Sequence, residues 1–186
     1  MLINYNKHFF IAKNSNQIKK YKLHTNYTHI LADTITPVSV YLKIRDKFPN
    51  SILLESSDYH ANDNSFSYIC FNPIASIKVE NQKIETNFPD GFSEIIPIDS
   101  NVNVAKEIEN FSNQFESEKS DFKFITQGLF GYLAYDAIQY FEKISIAKKS
   151  TENEIPEIYY AVYQNIIAIN HFKNEAYIFC HSLDGK

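Results

Sequence analysis

Three residues of this sequence stand where chemistry can be done: Glu55, Ser56 and Ser57, a carboxylate followed by two hydroxyls, placed directly after the apolar run Ile52-Leu53-Leu54. The run leaves a Pro49-Asn50 turn and reads as a short buried strand. A carboxylate at the end of such a strand must be paired, hydrogen-bonded or wet, because an unpaired charge away from water costs several kcal/mol. The residues leave two readings open. In one, Glu55 pairs with a Lys or Arg of the chain or caps a turn with its serines; in the other, it accepts from a ligand amine.

Other chemistries lack their residues. The six histidines have no metal spacing, and no H-E-x-x-H or C-x-x-C motif is present. His171 and His181 lie near the ends of the last two strand-like runs and are expected to face each other across a hairpin, too few for a metal site. Tyr59 to Asn64 resembles a calcium loop but fails at His60, Asp63 and Ile69, where an oxygen ligand, a glycine and a glutamate are required. With four glycines, of which only Gly128 and Gly131 are close together, no phosphate-cradling loop can be assembled. No G-x-S-x-G elbow exists, and neither Cys70 nor Cys180 has a context that lowers a thiol pKa. Both cysteines are read as small buried hydrophobes in strands.

Composition narrows the class further. The 186 residues, 44% of them apolar, can bury one good core, so a single domain over 1–186 is expected, with 1–17 as a loose extension. A net charge of −4 with 18 scattered Lys and Arg argues against a nucleic-acid surface. No export signal and no run of membrane-spanning length is present, and a reduced cytoplasmic protein is the simplest reading.

Several elements must position the Glu55 region. A strand is expected from Ile18 to Leu31, with Tyr21, Leu23, Thr25 and Tyr27 on one face. Thr36 as cap and Pro37 at the first helical position start a helix running to about Phe48, with Val40, Tyr41, Ile44 and Phe48 as its apolar stripe. Ser67 to Phe71 and Ala75 to Glu80 read as two strands broken at Asn72-Pro73, followed by a turn at Asn81-Gln82 and a strand at Lys83 to Thr86. Phe88 to Asn101 reads as loop. Val104, Ile108, Phe111 and Phe115 form one face of a second helix. Gly128 to Glu142 is a glycine-bearing strand entering an aromatic helical segment, where glycine marks the close approach of another backbone. Tyr159 to Ile169 and Ala176 to His181 form a hairpin around Lys173-Asn174. The predicted fold is α+β, with antiparallel β-sheets packed face to face and helices on the outside.

Four stretches, Thr34-Ile35-Thr36-Pro37-Val38, Leu53-Leu54-Glu55-Ser56, Ser65 to Ile69 with Asn72-Pro73, and Gly128-Leu129-Phe130-Gly131-Tyr132 with Tyr135-Asp136-Ala137, together resemble the N-terminal region of anthranilate synthase component I. The resemblance spans roughly residues 20 to 182. It implies a lyase of tryptophan biosynthesis, acting on chorismate to give anthranilate and pyruvate, with ammonia from a glutamine amidotransferase subunit. The family's chorismate and Mg2+ sites lie in a C-terminal catalytic domain that this sequence lacks, so this chain is expected to have no catalytic residues or metal of its own and no activity alone.

The resemblance further implies that Leu54, Glu55 and Ser56 form one wall of an allosteric feedback-inhibition site for tryptophan. Glu55 would accept from the tryptophan ammonium, with Ser56 giving a hydroxyl or backbone contact and Leu54 an apolar wall. The basic residue that some members place after this strand has no match, since Ser65 and Phe66 occupy that region. The para-aminobenzoate branch of the family, aminodeoxychorismate synthase, is the alternative, and a stand-alone amino-acid-binding module is the alternative of another class.

Overall fold

The computed structural model describes residues 19–56, 65–144, 146 and 155–184. The N-terminal extension, the Tyr59 to Asn64 turn and Ser57 fall outside these.

Two long strands organise the chain. β3 (Phe66–Glu80) and β8 (Ile158–Asn170) pair antiparallel from Phe66↔Asn170 to Val79↔Ile158, with a register shift between Pro73 and Ala75. The expected break at Asn72-Pro73 is therefore a bulge within one strand. Asn72 takes φ 59°, the left-handed region that asparagine tolerates, and the extra residue Ile74, two positions on, bends the ladder without ending it.

The bend lets the β3–β8 ribbon serve two half-sheets. Towards one end, β3 pairs with β4 (Lys83–Asn87), which pairs with β5 (Ser93–Pro97), while β8 pairs with β7 (Phe130–Leu133). Towards the other end, β3 pairs with β2 (Ile52–Leu54), and β8 pairs with β9 (Glu175–Leu183), which carries β1 (Tyr21–Leu31). β6 (Phe115–Ser117) closes that side as a short parallel partner of β1, the one parallel pairing among the described residues.

The sheet curls back on itself. Tyr21 and Leu23 of β1 share a buried cluster with Ile77 and Val79 of β3 and Ile84 of β4, so the two halves pack face to face within one continuous nine-stranded sheet. Each fully buried aliphatic side chain there contributes about 1.5–3 kcal/mol relative to exposure. The α+β class holds.

The helices flank this sheet. α1 (Pro37–Arg45) starts at Thr36, whose side chain accepts from the Ser39 N–H in a capping box with Ser39. Its Val40, Tyr41 and Ile44 pack on Ile69, Ile167 and Ile169. α2 (Val104–Ser112) buries Val104 and Phe111. It ends before Phe115, which was expected on its stripe; Phe115 opens β6 and stacks on Tyr21 at 5.4 Å. A 3-10 helix (Tyr135–Tyr140) follows β7.

Candidate functional site

The turn before β2 is held from both sides. Asn50 takes φ 59°, and its carbonyl accepts from the hydroxyl of the buried Tyr163 at 2.9 Å. The Tyr41 hydroxyl of α1 reaches the Ser51 carbonyl at 3.4 Å. These contacts fix where β2 begins, and strand alternation then decides which way each side chain points.

Ile52 and Leu54 pack on the aromatic face that includes Tyr68, Phe130 and Tyr159, while Leu53 packs on the opposite face against the α1 cluster. Leu54 stands opposite Tyr68 in the ladder. The Tyr68 ring lies 5.8 Å from Phe130 and 6.1 Å from Phe66. Burial pushes the Tyr68 phenol pKa up, against an opposing hydrogen bond from the backbone of Ile125.

Pairing with β3 ends at Leu54. Glu55 is exposed and Ser56 half-buried. The strand itself is half-buried and not fully buried, so the desolvation cost that would have forced a partner on Glu55 does not arise. No Lys or Arg among the described residues forms an ion pair with it. The three candidate residues thus stand together in sequence at the open end of an edge strand. Tyr68 was missed as their neighbour; an aromatic in the alternating run Phe66 to Cys70 was visible, but the register that sets it against Leu54 is a tertiary fact.

The two histidines expected to face each other do not. His171 Nε2 lies 2.7 Å from the Ser67 hydroxyl, and His181 Nδ1 lies 2.8 Å from the Thr25 hydroxyl. β9 pairs with both β8 and β1, and His181 turns inward towards β1. Cys70 is buried, and burial pushes its thiol pKa up. Cys180 is exposed, because it lies on the outward side of the same strand on which Phe179 and His181 point in. Among the described residues there is no group of three or more His, Cys, Asp or Glu placed to hold a metal, and no helix long and apolar enough to cross a membrane.

A family model described as chorismate binding enzyme matches residues 50–185, from the turn before β2 to just past β9. The chain belongs to this family. Among its relatives, anthranilate synthase component 1 of Lactococcus lactis is 34% identical over 152 residues, covering 81% of this chain and 30% of the relative. The Methanothermobacter marburgensis protein of the same name is 28% identical, covering 78% and 29%, and that of Acinetobacter calcoaceticus is 24% identical, covering 84% and 32%. The chain therefore spans under a third of the length of these relatives. The crystal structure of anthranilate synthase component I from Streptococcus pneumoniae aligns with a TM-score of 0.46 at 23% identity, over 79% of this chain and 30% of that one.

Proposed function

We infer that this chain is the N-terminal portion of an anthranilate synthase component I, and that the end of β2 carries part of its tryptophan feedback-inhibition site. The observation that carries the reading is the strand end itself. Within the segment matched by the family, Leu54 lies against the Tyr68–Phe130 aromatic face and the next residue delivers a solvent-facing carboxylate. The shared name of the relatives supports the anthranilate branch over the para-aminobenzoate one.

In this reading the complete protein is a cytoplasmic lyase that converts chorismate to anthranilate and pyruvate, with ammonia from a glutamine amidotransferase subunit. Its chorismate and Mg2+ sites lie in the length of the relatives that this chain does not span, and the chain alone is inactive. Glu55 accepts from the ammonium of tryptophan in a charge-assisted hydrogen bond, Leu54 contacts the indole, and Ser56 supplies a polar contact. Inhibition then requires tryptophan to bind one arrangement of this portion and the catalytic portion better than another.

Titration with tryptophan, followed by the ligand's own fluorescence, tests the site, since the chain contains no tryptophan. Saturable binding that is lost in Glu55→Ala is the expected result. Binding retained in Glu55→Ala removes Glu55 from the role, and failure of tryptophan to bind both this chain and the complete protein overturns the reading.

A further inference from the structure

A second cavity lies apart from the end of β2, and none of Leu54, Glu55 and Ser56 lines it. A cavity of about 300 Å3 opens between β1 and the segment that follows β6, at the lower end of the range for small-molecule sites. Its apolar side is made by Tyr27 and Phe122, backed by the buried Phe179. The Phe122 ring meets Tyr27 edge-on at 5.0 Å and Phe179 edge-on at 5.4 Å, so the three rings form a corner and not a flat stack. A flat apolar group can seat in such a corner.

Behind it lies a polar pair that joins β1 to β9. Thr25 lines the cavity, and its hydroxyl is 2.8 Å from Nδ1 of His181, a side chain only 1% exposed. The Thr126 backbone, also at the cavity, bonds the same imidazole. When the Thr25 hydroxyl donates to Nδ1, its oxygen keeps lone pairs free to accept. The rim carries Glu118, Lys119 and Asp121, two carboxylates against one ammonium. Glu118 is engaged by His24 at 3.3 Å, whereas Asp121 forms no ion pair among the described residues.

We propose that this cavity binds a small aromatic ammonium, with its ring against Tyr27 and Phe122 and its N–H groups donating to Asp121 and the Thr25 oxygen. Acidic rim and aromatic walls both favour a cation over an anion of the same shape. The site is independent of the tryptophan reading.

Benzylamine is the probe, with benzoate as its anionic counterpart, each titrated into this chain and followed by amide chemical shifts. Benzylamine is expected to saturate with a Kd on the order of 1 mM, shifting Thr25, Tyr27 and Asp121. Asp121→Asn, at an exposed position, is expected to weaken binding by about tenfold, and Phe122→Ala similarly; should Phe122→Ala fail to fold, Asp121→Asn decides alone. Glu55→Ala leaves this binding unchanged. No saturation, equal binding of benzoate, or full affinity in Asp121→Asn overturns the proposal.

Discussion

A Cβ placed on Gly131 would lie 1.9 Å from the backbone carbonyl oxygen of Tyr159. β7 and β8 approach so closely there that only a hydrogen fits, and the atoms that would have to yield belong to the central β8 backbone. Glycine in a strand signalled this close approach at the sequence level.

Gly131→Ala is therefore expected to destabilise the chain by about 3 kcal/mol or more, read as a shift of the urea midpoint. Gly128 is the control. It has φ +126° but open space around its missing Cβ, so Gly128→Ala should cost only conformational strain, about 1–2 kcal/mol. Equal losses would show that packing at Gly131 is not the constraint.

Leu54 and Glu55 should separate stability from binding. Leu54 is half-buried against Tyr68, so Leu54→Ala is expected to cost about 1–2 kcal/mol, below the range for a fully buried leucine. Glu55 is exposed, and Glu55→Ala should change stability by less than about 0.5 kcal/mol. Denaturation of both variants checks this, and a marked loss in Glu55→Ala would assign Glu55 a structural role and void its use as a binding probe.

Much of this arrangement was legible because local chemistry and tertiary need agreed. Thr36 and Pro37 mark the start of α1, Asn81-Gln82 turns β3 into β4, and Lys173-Asn174 turns β8 into β9. Sequence reading failed where pairing overrode a local signal. Asn72-Pro73 reads as a stop, yet β8 carries the strand through it by pairing on either side of the bulge. Pro97 and Gly91 made Phe88 to Asn101 read as loop, although β5 is an edge strand where a proline at the last position costs no ladder bond. Phe115 fits the helical spacing, but Asn113 caps α2 and frees it for β6. At the candidate site the carboxylate after a strand was visible; its exposure, and Tyr68 beside it, depend on β2 lying at an edge.

Two histidines should give stability opposite dependences on pH. Burial, the largest effect, pushes His181 below its ordinary 6.5, against a smaller opposing pull from the Thr126 backbone. The unfolded chain then binds a proton that the folded chain refuses, so this contribution is complete above about pH 6.5 and is lost as pH falls towards the folded value. His24 is raised, chiefly by its hydrogen bond to Asp184 and also by that to Glu118, with burial opposing. Its contribution is complete below about pH 6.5 and is lost as pH rises through the folded value. Melting temperatures measured between about pH 5 and 8 should show a shallower acid-side decline in His181→Gln and a shallower alkaline-side decline in His24→Ala. The reverse assignment would contradict the burial of one and the carboxylate contacts of the other.

The β3–β4 turn offers a gain in stability far from either site. Asn81 and Gln82 both take positive φ, 52° and 57°, the geometry of a two-residue type I′ turn that matches the twist of its strands. Asparagine tolerates that region, whereas glutamine has no local hydrogen bond to compensate and carries a cost of about 1–2 kcal/mol there. Gln82→Gly removes this strain but loosens the unfolded chain, an opposing effect of about 0.5–1 kcal/mol. The strain is the larger of the two, so the variant is expected to be more stable by about 0.5–1 kcal/mol. Urea unfolding decides it: a lower midpoint in Gln82→Gly would mean that Gln82 makes a compensating contact in the folded state, and the turn would have to be reassigned from a strained to a satisfied one.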